Sequence, residues 1–110
     1  MSGFEAGAWR VENERDAANY SIDCSQYVVS AAQAQEYFRL ATPEEMITLD
    51  LGDGIWGACS ANGTLRWGGR KATYTIYMGN VGLVSAGNGR RQWYLCGRQC
   101  CDRLNKVCSD

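Results

Sequence analysis

The residues of this chain best suited to chemistry are six cysteines, and no histidine accompanies them. The cysteines are Cys24, Cys59, Cys96, Cys100, Cys101 and Cys108. An even number of cysteines in a chain of 110 residues is most simply explained by disulfides, which persist in oxidising compartments. Without histidine, Ser-His-Asp catalysis, Cys-His catalysis and histidine-ligated metal sites are all excluded. We therefore predict a secreted protein held by three disulfides, with no cofactor.

The last four cysteines also suggest an alternative, because four thiolates can bind zinc. Their spacing, Cys96-x3-Cys100-Cys101-x6-Cys108, lacks the paired CxxC units of common zinc sites. We therefore predict no metal site and keep an intracellular interaction domain with free or zinc-bound thiols as an alternative. Secretion requires a signal peptide that has been removed, since no apolar segment of that type follows Met1. No apolar run reaches the roughly 20 residues that a transmembrane helix needs.

A cluster of carboxylates provides a second alternative, a small hydrolase, because glycosidase chemistry needs only acidic residues. The cluster consists of Glu44, Glu45, Asp50 and Asp53. Two of its members directly follow Pro43, at the N-terminus of a predicted helix. Acidic side chains there would interact favourably with the helix dipole. Because that structural role is sufficient, we assign no catalytic residue.

Two dibasic pairs, Arg70-Lys71 and Arg90-Arg91, lie in glycine-rich segments that we expect to be exposed loops. Arginine beside aromatic residues is typical of binding hot spots. The predicted binding surface comprises Arg70, Lys71, Tyr77, Arg90, Arg91 and Trp67. Its partner is expected to be another protein or a glycan, since a formal net charge of −1 argues against nucleic acid. Solvated hairpin ends and processing sites are the competing interpretations of these pairs.

Two N-glycosylation sequons also occur, at Asn19 and Asn62. Asn62-Gly63 is in addition a strong signal for a two-residue hairpin turn, where an acceptor asparagine would be exposed.

Hydrophobic periodicity predicts one long helix over residues 22–40. Its apolar face would contain Cys24, Tyr27, Val28, Ala31, Ala34 and Phe38. A capping box at residues 42–45, with Pro43 at the first helical position, predicts a short second helix. Residues 98–108 resemble a short final helix.

The remaining segments predict strands. A first hairpin joins residues 55–61 to 64–67, and a second joins 81–85 to 91–96. Residues 72–78 alternate in polarity, so that Ala72, Tyr74 and Ile76 should face the core. Residues 8–12 provide a further strand. Trp9 and Trp93 are expected in the core.

Together these elements predict a single α+β domain, residues 1–110, with a four- or five-stranded antiparallel sheet and one long helix packed on it. We expect Cys24 and Cys59 to be bonded to the C-terminal cysteines. The predicted function is that of a small secreted binding protein of the effector, toxin or defence type, which binds a host or competitor protein or glycan.

Overall fold

A six-stranded sheet dominates the structure, a computed structural model that describes residues 1–12, 23–44, 59–78, 81–96 and 100. The strands are β1 (Ser2–Val11), β2 (Thr42–Glu44), β3 (Cys59–Trp67), β4 (Arg70–Tyr77), β5 (Val81–Ala86) and β6 (Arg91–Leu95). Their order is β1-β3-β4-β5-β6-β2, and every neighbouring pair is antiparallel. Short connections join β3, β4, β5 and β6 in sequence, as expected for a meander.

The predicted long helix is wrong. The described part of residues 22–40 contains a 3-10 helix, Cys24–Gln26, and a separate α-helix, α1, Ala31–Leu40. Ser30 ends the extended connection between them, because its hydroxyl accepts a hydrogen bond from the Gln33 backbone while the Gln33 side chain accepts one from the Ser30 backbone. This capping box begins the helix at Ala31.

The connection between the two helices explains why periodicity was misleading. Tyr27 and Val29 are buried, whereas Val28, predicted on the inner face, is 54% exposed. This alternation belongs to an extended chain rather than to a helix. Asp23 caps the 3-10 helix, and its hydrogen bonds from the Ser25 side chain and backbone lower the pKa of its carboxyl group. The architecture is therefore a mostly antiparallel sheet with one short helix, and the predicted fold class is corrected accordingly.

The first predicted hairpin turn is also wrong, because β3 continues straight through Asn62-Gly63. The chain turns instead at Gly68 and Gly69, whose φ angles of 60° and 80° suit glycine. Gly63 serves packing: a Cβ at this position would collide with the Tyr74 ring and the Glu5 carbonyl. The dipeptide thus has a turn-like composition for a reason unrelated to turns.

The other strand predictions agree better with the structure. The hairpin of β5 and β6 is confirmed by their antiparallel register, with Gly89 at φ 88° in the turn. Strand β4 is confirmed, with its even-numbered side chains Ala72, Tyr74 and Ile76 buried. The N-terminal strand is confirmed and is longer than expected.

A second helix does not begin at Pro43, because Thr42–Glu44 form strand β2 paired with β6. Proline lacks a backbone donor, and an edge strand tolerates this loss. The predicted helix at residues 98–108, apart from Cys100, lies outside the described residues.

The core lies between α1 and one face of the sheet. Phe38 is at its centre, with ring centroids 5.0 Å from Tyr37, 5.2 Å from Tyr94, 5.9 Å from Tyr74 and 6.0 Å from Phe4. Tyr37 is fully buried and so close to β5 that only a glycine fits at position 82. Trp9 was expected in this core but is 47% exposed, and Trp93 is half-buried.

Two disulfides are described, Cys24–Cys59 and Cys96–Cys100, with Cα–Cα distances of 5.4 and 5.8 Å. Disulfide bonding is thereby confirmed, whereas the expected links from Cys24 and Cys59 to the C-terminal cysteines are wrong. The 3-10 helix lies against the end of the sheet, and this contact brings Cys24 to the first residue of β3. Cys101 and Cys108 lie outside the described residues.

Candidate binding surface

Two hairpin ends meet at one end of the sheet and bring together most of the predicted binding residues. The turn between β3 and β4 and the turn between β5 and β6 lie at this end because the four strands form an antiparallel meander. The Arg90 guanidinium carbon lies 4.1 Å from the centroid of the Trp67 ring. This cation–π contact joins the two turns.

We call the group of cations around these turns the basic end. It consists of Arg66, Arg70, Lys71, Arg90 and Arg91, and all five side chains belong to exposed residues. Among the described residues the salt bridge that forms is Arg39–Glu36, on α1, and no residue of the basic end takes part in one. Within the described residues, these five charges are therefore exposed and outside any ion pair.

One cross-strand pair in the basic end consists of two like charges. Arg66 on β3 lies directly opposite Lys71 on β4, and like charges in this position destabilise a sheet. Their side chains lie with Glu5 around a shallow pocket of about 220 Å³. This like-charged pair does not stabilise the sheet. Residues that lower stability in this way are often functional.

A row of hydroxyl groups crosses the sheet beside these cations, on the face opposite α1. Strand register places Thr64, Thr73, Ser85 and Arg91 in one line across β3, β4, β5 and β6. The Thr73 hydroxyl is 3.4 Å from the Ser85 carbonyl oxygen, to which it donates. The surface thus offers neutral hydrogen-bonding groups between charged ones.

Tyr77, by contrast, lies near the other end of β4, opposite Ser60 on β3 and Val81 on β5. Its ring stacks with Trp93, with centroids 6.4 Å apart, and the two rings meet across the intervening strand β5. Burial, followed by the nearby Glu12 carboxylate, raises the pKa of Tyr77. The structure therefore separates Tyr77 from the other five residues of the predicted surface.

Sequence reasoning missed a hydrogen-bonded network on the same face of the sheet. The Ser60 hydroxyl donates to the Glu12 carboxylate at 2.6 Å, and the Thr75 hydroxyl donates to the Asn62 side-chain oxygen at 2.9 Å. Ser60 is fully buried, so that its hydroxyl is closed to a substrate. We interpret the pair Ser60–Glu12 as a structural link between β3 and the end of β1.

The remaining predicted site residues are placed as follows. Asn62 lies inside β3, where its amide group donates to the Ala8 carbonyl at 3.3 Å, so the exposed turn assumed for glycosylation is absent at this position. Glu44 is exposed on β2. Asn19, Glu45, Asp50 and Asp53 lie outside the described residues.

The disulfides and the sheet define the class of this protein: a small, disulfide-bonded domain built mainly of antiparallel strands. Such a domain is compatible with secretion. In the part of the chain that the structure describes, neither helix is long and apolar enough to cross a membrane. Comparisons with protein-family models, with curated proteins and with solved structures gave no match.

Proposed function

We propose that this protein is an extracellular binding protein that attaches to anionic glycans through its basic end. The observation that carries the proposal is the convergence of five exposed cations on two hairpins, joined by Arg90 over Trp67. The two disulfides support an extracellular location, because such bonds persist where thiols are oxidised. Attachment of this kind is how an effector, toxin or defence protein would engage a host or competitor cell surface.

The chemistry of the surface favours sulfated or carboxylated sugars. Arginine binds planar or tetrahedral oxyanions through two parallel hydrogen bonds, and four of the five cations are arginines. Between them, Thr64, Thr73 and Ser85 provide hydroxyl groups suited to sugar hydroxyls. Clusters of basic residues are a recognised feature of heparin-binding surfaces.

The shape of the surface also favours an extended partner. By strand alternation Arg66, Lys71 and Arg91 share the sheet face opposite α1, whereas Arg70 shares the other face with Trp67. The cations do not line a deep cleft, so a chain of charged groups can contact the three on one face and continue around the hairpin ends. The interaction would be mainly electrostatic and would weaken as ionic strength rises.

Binding to immobilised heparin, with neutral dextran as the reference surface, tests the proposal. We compare wild-type protein with Lys71→Gln and with Arg90→Ala/Arg91→Ala, and use Arg39→Ala as the matched loss of a cation on α1. The double variant should bind heparin about tenfold more weakly, because two exposed ion pairs at roughly 0.2–1 kcal/mol each contribute about 1.4 kcal/mol together. Lys71→Gln should bind more weakly while its unfolding midpoint stays equal or rises, since the repulsion from Arg66 is removed.

Losses that scale only with the number of charges removed, one in Arg39→Ala and in Lys71→Gln and two in the double variant, would overturn the proposal, because the effect would then be one of net charge. Retention of the wild type on dextran as well as on heparin would also overturn it. Binding to polyglutamate with no binding to heparin would show that the basic end recognises acidic polypeptide rather than glycan.

A further inference from the structure

The two edges of the sheet differ in how they are protected against pairing with another strand. The β2 edge is three residues long and contains Pro43, and both features discourage strand addition. The β1 edge is ten residues long and contains neither proline nor lysine. Within the described residues, β1 is paired along one side only, with β3. The β1 edge is therefore the side of the sheet on which a further strand could pair.

Strand β1 contains two register shifts against β3, one between Ser2 and Glu5 and one between Ala6 and Trp9, and the second gives this edge an unusual symmetry. From Ala6 to Trp9 the chain advances three residues while the paired residues of β3 advance only two, from Gly63 to Ala61. Glu5 and Arg10 consequently pair with Thr64 and Ser60, which share a face because they are four residues apart. In a regular strand, two residues five positions apart would lie on opposite faces. The bulge thus places one acidic and one basic side chain on the same face.

Two copies of β1 placed side by side in antiparallel orientation would bring complementary residues opposite each other. If a second β1 runs alongside with a two-fold axis between Gly7 and Ala8, Glu5 faces Arg10 of the second copy. Ala6 then faces Trp9 of the second copy on the opposite side of the sheet, a small residue beside a large one. The small residues Gly7 and Ala8 lie at the axis, where the bulge of each strand would meet that of the other.

We propose that two copies of this chain associate through their β1 edges, forming one continuous antiparallel sheet. Opposite charges directly across an antiparallel pair of strands stabilise the pair. Because of the two-fold axis, the dimer would contain two equivalent Glu5–Arg10 pairs. Association would also cover Trp9, which is 47% exposed in the single chain, and Val11, which is 36% exposed. The proposal is argued from β1 and shares with the surroundings of the basic end only Glu5, which also lies beside Arg66 and Lys71.

Sedimentation velocity over a series of protein concentrations, with all disulfides intact, measures the association. The wild-type protein should pass from monomer to dimer as its concentration rises. Glu5→Arg alone and Arg10→Glu alone each replace two attractive pairs by two repulsive ones, and each should weaken dimerisation about tenfold. The double variant Glu5→Arg/Arg10→Glu restores both pairs with their signs exchanged and should dimerise like the wild type.

A mixture of the two single variants provides the most specific readout. Glu5→Arg has two basic side chains on this face and Arg10→Glu has two acidic ones, so the mixture should form heterodimers more strongly than either variant forms homodimers. Circular dichroism checks that each variant is folded. A wild-type protein that stays monomeric throughout the series overturns the proposal. A double variant and a mixture that show no recovery also overturn it, because the proposed register would then be wrong.

Discussion

The two described disulfides should contribute very unequally to stability. Cys24–Cys59 links residues 35 apart in sequence, whereas Cys96–Cys100 links residues only 4 apart. A disulfide acts largely by restricting the unfolded chain, and this restriction grows with the logarithm of the loop length. At 25 °C the loop-closure expression gives about 4 kcal/mol for the long loop and about 2 kcal/mol for the short one. We therefore expect a difference of about 2 kcal/mol.

The two bonds can be compared because their cysteines are buried to similar extents. Each of the four cysteines is 3% exposed or less, so replacement by alanine removes sulfur atoms from comparably buried sites. Packing losses should largely cancel between the two double variants, Cys24→Ala/Cys59→Ala and Cys96→Ala/Cys100→Ala. Replacing both partners together avoids leaving a free thiol that could exchange with the remaining cysteines.

Urea unfolding followed by tryptophan fluorescence measures the free energy of unfolding of both variants and of the wild type. The variant without Cys24–Cys59 should be the less stable by about 2 kcal/mol. Equal losses, or a larger loss on removing Cys96–Cys100, would refute the loop-entropy argument. That outcome would assign the stabilisation to local packing around the shorter bridge.

Three further predictions concern the packing of the sheet and its hydrogen bonds. Gly82→Ala should lower the free energy of unfolding by about 1–3 kcal/mol, because the added Cβ would lie 2.6 Å from the Tyr37 ring. Burial raises the pKa of Tyr27 and of Tyr37 in the folded protein, so the stability that their neutral hydroxyls contribute is complete below about pH 10 and is lost as the pH rises above it, as measured by urea unfolding at increasing pH. Ser60→Ala should destabilise the protein by about 1–2 kcal/mol in the same assay, since it removes the hydrogen bond to the Glu12 carboxylate.

Each of the three predictions would be contradicted by a specific result. Wild-type stability in Gly82→Ala would show that the Tyr37 ring moves aside without cost. For the pH dependence, Tyr37→Phe is the control and should reduce the loss above pH 10, so an unchanged profile would assign that loss to other groups. A neutral Ser60→Ala would mean that water replaces the hydroxyl as the partner of Glu12.

Local sequence patterns predicted some strands well and others poorly, for an identifiable reason. The alternation in β4 and the glycine-rich turn between β5 and β6 are local signals that no distant contact opposes. Asn62-Gly63 is an equally strong local signal, yet the Tyr74 ring and the Glu5 carbonyl occupy the space beside Gly63 and explain the glycine without a turn. A glycine in this pattern can result from a turn or from close packing, and the sequence alone does not distinguish the two causes.

In the candidate binding surface, too, some features were predictable from local sequence and others depended on long-range contacts. The dibasic pairs were visible as residue types, and their exposure followed from the surrounding glycines. That Arg66 joins them, and that Tyr77 does not, follows from strand register. Register is a long-range property, set by which strands pair, and it could not be deduced while the first turn was misplaced.

The sequence alone determined that this chain lacks histidine chemistry, and its even number of cysteines made disulfides the favoured prediction, because both follow from composition. It also determined the polarity of individual strands, which depends on residues two apart. Only the tertiary structure decided which cysteines pair, where the helix begins, and that two distant hairpins bring their cations to one end of the sheet. These features depend on contacts between residues far apart in the chain, and such contacts are chosen by packing of the whole sheet rather than by any single segment.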